Sequence, residues 1–184
     1  MQVVFWFVAL EFILNFQFVF EFFGLLFLFE VVRIGCVELT IRPVEEKDFV
    51  QWLRLRKLLW DQLSEQEHRE EMQGIYENPE TQLVLVAELE NGRIVGFLEA
   101  SIRPFAEDCS TDHVGYLEGW FVEPGFRKKG IGRALVEEAE EWARSRGCTE
   151  MASDSEIGNE LSIIVHSRLG YTQTSCLIHW KKEL

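Results

Sequence analysis

Phe121-Val122-Glu123-Pro124-Gly125-Phe126-Arg127-Lys128-Lys129-Gly130-Ile131-Gly132-Arg133 is the stretch whose reading decides the fold. A β-branched and aromatic run stops at Pro124, which cannot extend a ladder of hydrogen bonds. Two glycines spaced by one residue then open an amphipathic segment. Ile131, Leu135, Val136, Ala139 and Trp142 fall on one helical stripe, and Gly147 follows as a C-cap. The spacing predicts a strand, a tight loop and a helix over residues 130–146. Amides at a helix start are unpaired and carry partial positive charge, so this junction is a candidate anion site. Lys128, Lys129 and Arg133 add cations there. A tight turn with close helix packing would use the same glycines, so the pair alone does not decide. The Gly-Lys-Ser/Thr of a nucleotide P-loop and the dinucleotide glycine fingerprint are both absent.

Working outward, residues 114–122 read as the strand that feeds this loop. Upstream, residues 81–89 and 93–102 are apolar runs joined by Asn91-Gly92, a hairpin signal that predicts a type I′ turn with positive φ at both positions. Residues 37–42 read as a short strand ended by Pro43. Apolar residues at helical spacing place a helix over residues 45–60. Ser64 and Glu67 form a capping-box pattern for a second, charged and solvated helix to about Tyr76. Downstream, residues 148–152 read as a short strand, residues 159–168 as a helix broken by Gly170, and residues 171–180 as a last strand or hairpin. The order is mixed α/β of the α+β type: a mostly antiparallel twisted sheet flanked by helices, in one domain over residues 38–184.

Residues 1–37 differ in composition. Ten of the fifteen Phe precede Glu30, and Glu11, Glu21 and Glu30 interrupt the apolar runs. A membrane span needs about 20 apolar residues without such charges. A secretory leader needs a basic start and a small-residue cleavage site. The open readings are an extension not native to the domain, a membrane-associated segment, or an extra packed helix.

The formal net charge of −13 argues against nucleic acid, which needs a cationic surface, and suits a cationic small molecule. Cys36, Cys109, Cys148 and Cys176 have neither metal-site nor disulfide-framework spacing. Reduced thiols and a cytoplasmic location are the expectation, with no metal.

Taken together, Arg127, Gly130 and Gly132 after the strand resemble the Arg/Gln-x-x-Gly-x-Gly/Ala signature of the GNAT acetyltransferase superfamily. Within it, Leu117-Glu118-Gly119, Phe121-Val122, Phe126-Arg127 and residues 150–154 look like the aminoglycoside 6′-N-acetyltransferases. So do Val165-His166, Leu169-Gly170, and Leu55-Arg56-Lys57 with Leu59-Trp60. The resemblance implies a GNAT fold with acetyl-coenzyme A as co-substrate. Its pyrophosphate would lie on the amides of Lys128, Lys129, Gly130, Ile131, Gly132 and Arg133. Its pantetheine arm would lie along Trp120, Phe121 and Val122, with Asn159 near the thiol. The resemblance also implies a substrate pocket of Trp60, Glu118 and Asp154, and commonly a homodimer.

Each residue has a plainer alternative. Glu118 can take a proton from the amine, hold an ammonium, or close a salt bridge within the sheet. Asp154 can pair an ammonium or cap a helix. His166 stands where such enzymes often have a tyrosine acid, so it is either a proton donor or a packed histidine. Trp60 can be core, and Asn159 a helix cap. The expected activity is acetylation of an aminoglycoside 6′-amine, giving resistance. The alternatives are a GNAT enzyme for a polyamine or peptide amine, and a non-catalytic acetyl-coenzyme A module.

Overall fold

The computed structural model describes residues 30–34 and 37–183, with side chains from Leu39 onward. Two strands come first, β1 (Glu30–Ile34) and β2 (Val37–Pro43). Two helices follow, α1 (Phe49–Leu59) and α2 (Glu65–Tyr76). Next come β3 (Gln82–Leu89), β4 (Ile94–Arg103) and β5 (Val114–Val122). Helix α3 (Ile131–Ser145), strand β6 (Met151–Ser153) and helix α4 (Glu160–Leu169) complete the order.

The six strands lie in sequence order, antiparallel except for the parallel β5–β6 pair. The expected mixed α/β class therefore holds. The boundary expected at Val37 falls inside a hairpin, because Glu30–Ile34 pairs with Val37–Ile41. The remainder of the 1–37 extension lies outside the described residues.

Strand alternation sends neighbouring residues to opposite faces. On β3, Leu85 and Ala87 join a core with Leu98, Leu117, Ile131, Leu135, Val136 and Ala139, under α3. Val84 and Val86 join the other core with Trp52, Leu55, Met72 and Phe97, under α1 and α2. Because both faces are covered, β3 and β4 read as nearly unbroken apolar runs. The fully buried Leu and Ile side chains contribute roughly 1.5–3 kcal/mol each. α2 has the expected reciprocal cap between Ser64 and Glu67, but its inner face buries His68 and Met72.

Buried Arg42 fastens the β2 end to the turn before α1, through Asp48 at 2.6 and 3.0 Å and Glu88 at 2.6 Å. Burial works against the Asp48 charge. The hydrogen bonds from Arg42 and the Glu45 amide prevail and hold its carboxyl below the usual range.

Two expectations are corrected. The β3–β4 turn has positive φ only at Gly92, so it is not type I′. Asn91 Oδ1 instead accepts from the Arg93 amide at 3.1 Å, and the Gly92 amide donates to Leu89 O at 2.8 Å. The loop is thus one residue longer, with its irregularity absorbed between Ala87 and Glu88. Second, residues 171–183 form no strand; Leu177, Ile178 and Trp180 are exposed. A segment with strand propensity becomes a strand only when it pairs into a ladder, and residues 171–183 pair with none among the described residues.

Candidate active site

β5 organises the site. Its pairing with β6 covers only Gly115–Met151, Tyr116–Ala152 and Leu117–Ser153. The approach is close because Gly115 lacks a side chain: a Cβ there would lie 2.8 Å from both Ala143 Cβ and Met151 Sδ. Past Leu117, residues 118–122 have no strand on that edge among the described residues. Their outward backbone groups, apart from the Val122 carbonyl that accepts from Arg127 Nε at 2.7 Å, remain available to a ligand that can lie extended beside them.

The edge leads into a sharp turn. Residues 124–126 form a single 3₁₀ turn, then Lys128 and Gly130 adopt left-handed backbone, φ 61° and 91°. Gly130 is the N-cap of α3 and no side chain caps that end. The first α3 amides therefore lack side-chain partners and face outward with the helix dipole behind them. Gly132 is not required by packing, since a Cβ there would meet nothing nearer than Trp120 Nε1 at 3.6 Å. The open space above this amide suits close approach of a ligand oxygen.

The predicted residues 128–133 are thus brought together, but the cationic side chains mostly face elsewhere. Arg127 Nε donates to Val122 O at 2.7 Å, and Arg133 donates to Arg168 O at 2.8 Å. Lys129 Nζ lies 5.2 Å from the centre of the Phe126 ring. What this junction offers an anion is mainly backbone amides.

On the other side of β5, the β4–β5 register passes from Glu99–Gly119 directly to Ala100–Leu117. Glu118 is the extra residue of this bulge, which re-aims its side chain. Its carboxylate accepts from Ser101 Oγ, from Arg103 Nε at 3.0 Å and from a second Arg103 nitrogen. The salt-bridge alternative for Glu118 is therefore present. The Arg103 guanidinium lies 3.5 Å over the Tyr116 ring. The Tyr116 hydroxyl donates to Asp154 at 3.0 Å. Burial, reinforced by the Asp154 charge, pushes the Tyr116 phenol well above its ordinary range and keeps it a donor. Glu118 and Asp154 are thus linked through Arg103 and Tyr116. Asp154 is exposed and caps no helix; the α4 cap is Asn159, which accepts from the Ser162 amide at 3.1 Å.

Glu118 also borders a cavity of about 460 Å³ that includes Trp60, Arg56, Glu71, Glu99 and Ile75. Trp60 fits against the strand only because residue 119 is glycine: a Cβ there would sit 2.7 Å from Trp60 Cζ2. Behind it, Arg56 packs 4.9 Å from the Trp60 ring centre and pairs with Glu71. Trp60 is therefore a fixed wall and not closed core. Trp52 Nε1 donates to Glu99 Oε1 at 2.8 Å.

His166 Nε2 lies 3.0 Å from Ser153 Oγ, and Nδ1 lies 2.9 Å from Ser162 O. Its ring meets Trp120 and Tyr171 edge-on, with centroids 4.9 and 5.6 Å apart. Both nitrogens are occupied, which matches the packed-histidine alternative, yet the ring stands beside Trp120 at the free edge of β5. Sequence reading missed Arg56, Glu99, Ser101, Arg103 and Tyr116. A glutamate interrupting the apolar run of β4 was a legible signal for Glu99. The partnership of Arg103 needed the bulge register. Among the described residues no cluster of three or more His, Cys, Asp or Glu is placed to hold a metal ion.

A strand edge released beside a helix start, with an acidic cavity across the same strand, defines a two-substrate transferase layout. The chain belongs to the acetyltransferase (GNAT) family, whose match covers residues 52–171. It is 43% identical over 148 residues to aminoglycoside N(6′)-acetyltransferase type 1 of Klebsiella aerogenes, covering 78% of this chain and 96% of that one. Among solved structures, the aminoglycoside 6′-N-acetyltransferase AAC(6′)-Ih of Acinetobacter baumannii superposes with a TM-score of 0.75 at 36% identity, covering 79% of this chain and 99% of that one. AAC(6′)-Iy, in complex with the bisubstrate analogue CoA-S-monomethyl-acetylneamine, gives a TM-score of 0.75 at 32% identity over 79% and 99% of the two chains.

Proposed function

We propose that this protein is an aminoglycoside 6′-N-acetyltransferase that uses acetyl-coenzyme A and gives resistance to the drug. The observation that carries the reading is the double use of β5. One edge is free past Leu117 and runs into the uncapped α3, while the opposite side borders the acidic cavity. The relatives' activity toward aminoglycosides supports it.

In this reading the amides from Lys128 to Arg133 hold the donor's pyrophosphate. The backbone of Trp120, Phe121 and Val122 pairs with its pantetheine arm, and Asn159 and His166 lie toward its thiol end. The Val122 N–H stabilises the charge that develops on the thioester oxygen during attack. Trp60 forms an apolar wall for the sugar. Glu118 and Asp154 receive ammonium groups, as charge-assisted hydrogen bonds favour. Glu118 keeps its plane fixed by Arg103 and Ser101 while a remaining lone pair faces the acceptor. No metal and no covalent enzyme intermediate are needed.

We assign the catalytic domain to residues 38–184 and treat residues 1–37 as an extension whose Glu30–Ile34 stretch pairs onto the domain's first strand. It works in the cytoplasm and binds no nucleic acid. We assign it a homodimeric state, supported by exposed Leu161, Ile163 and Ile164 on α4 and by Leu177, Ile178 and Trp180 beyond it.

Coenzyme A release with kanamycin, with spermidine and with buffer alone tests the proposal. Turnover on kanamycin alone is expected. Preference for spermidine, or acetyl-coenzyme A binding without turnover on any amine, refutes it. Glu118→Ala and Asp154→Ala are each expected to raise the kanamycin KM about tenfold or more. Unchanged KM and kcat in both would overturn the pocket assignment.

A further inference from the structure

An acceptor amine reaches its enzyme mostly as an ammonium ion and must lose a proton before it can attack a thioester. Glu118 is poorly suited to take that proton. Its two oxygens are already held by the Arg103 guanidinium and the Ser101 hydroxyl. A second carboxylate borders the same cavity.

Glu99 lies directly across from Gly119, one residue from the Glu118 bulge. Its strand neighbours Phe97 and Leu98 are fully buried, and Glu99 itself is only 3% exposed. A charged residue in such a strand is costly unless something holds it. The hold is partial. Trp52 Nε1 donates to Oε1 at 2.8 Å, and Arg56 Nε stands 3.5 Å from that same oxygen, beyond good hydrogen-bond geometry. Neither contact reaches Oε2.

We propose that Glu99 is a catalytic residue, the carboxylate that takes the proton from the acceptor's 6′-ammonium, directly or through one water in the cavity. This rests on the acetyltransferase function proposed above. The steps balance. Glu99 accepts one proton from the ammonium, leaving a neutral amine. The nitrogen lone pair forms the C–N bond to the thioester carbonyl carbon, and the C–S bond breaks with its electrons on sulfur. The thiolate takes the second proton lost by the nitrogen. Glu99 returns its proton to solvent, so each turnover yields amide, thiol and one proton.

The surroundings tune the group for this role. Burial pushes the Glu99 carboxyl up to about 7, only partly countered by Arg56 on α1 and by the Trp52 hydrogen bond. Glu71 on α2 and Glu118 on β5 face it as like charges and push the same way. A base that titrates near the working pH combines a deprotonated fraction with useful basicity.

The test is the pH dependence of kcat and kcat/KM for kanamycin, in the full chain and in Glu99→Gln. The amide keeps an oxygen for Trp52 and nearly the same shape. The unmodified protein should show activity rising through an inflection near pH 7. Glu99→Gln should lose that inflection and about 10²-fold or more in kcat, with KM nearly unchanged. Acetyl-coenzyme A affinity by calorimetry should not move. Glu99→Asp, which keeps a carboxylate, should recover part of kcat and restore a shifted inflection. Retention of kcat and of the inflection in Glu99→Gln overturns the proposal. So does equal loss in the Asp and Gln variants with the inflection intact, which marks a structural role. If Glu99→Gln does not fold, the absence of any inflection between pH 6 and 8 in the unmodified protein overturns it as well. Failure of the unmodified protein to acetylate any aminoglycoside refutes the underlying function, a result distinct from all of these.

Discussion

Replacing Gly119 by alanine tests how the acceptor wall is built. The backbone there is extended, so alanine brings no φ penalty, and a Gly→Ala change at a compatible position stabilises by about 0.4–1 kcal/mol. The added Cβ, however, falls 2.7 Å from Trp60 Cζ2 and 3.3 Å from Leu59 Cδ2. Ordinary contact begins near 3.4 Å, so one partner must move by most of an ångström. β5 is held in register by Glu99 on β4. Trp60 is backed by Arg56 at 4.9 Å and meets Phe97 edge-on at 6.0 Å. Forcing a methyl into such a site costs about 1–3 kcal/mol. The net expectation is a loss of about 1–2 kcal/mol, or roughly 2–8 °C in Tm for a chain of this size. The ring can yield only toward the cavity, so the kanamycin KM should rise several-fold. In the proposed placement acetyl-coenzyme A lies on the opposite edge of the strand, so its Kd should stay the same. Thermal melts, steady-state kinetics and calorimetry read the three quantities. Unchanged Tm and KM, or a weakened Kd for acetyl-coenzyme A in place of the KM effect, would refute this account of the wall.

Gly132→Ala separates the ligand's demand from the fold's. Its Cβ clears every neighbour by 3.6 Å or more and alanine favours helix, so Tm should hold or rise while acetyl-coenzyme A affinity falls about tenfold or more by calorimetry. Asp48→Asn breaks the paired end of β2 and leaves buried Arg42 with Glu88 and the longer 3.8 Å contact to Glu45, a cost of about 3 kcal/mol in urea unfolding at pH 7. The folded Asp48 titrates below its ordinary value of 3.8, so its contribution is complete above that pH and is lost as pH falls through the lower folded value. The two proteins' stabilities should therefore converge in acid.

The apolar runs of β3 and β4, the stripe of α3 and the capping box of Ser64 are local patterns, and all were legible in the sequence. So was the uncapped start of α3, because the glycines that free it are close together in the chain. The Asn91-Gly92 turn was legible as a hairpin but not in its type, since the register of both flanking strands selects it. The last strand was misread at residues 171–180. Local composition there shows only that a segment can pair, whereas whether it docks on the sheet is decided by the assembled fold.

The strand-loop-helix around residues 121–133 was thus legible from sequence alone as a candidate anion site, because the glycines and the helix start that form it lie within thirteen consecutive residues. What only the tertiary structure decided is the acceptor side. A one-residue bulge turns Glu118 onto Arg103, Gly119 admits Trp60, and the packing of α1 and α2 buries Glu99 beside Trp52 and Arg56. These partners are separated by 15 to 59 residues in the chain. Their chemistry depends on burial and distance, and neither exists until the sheet has closed around them.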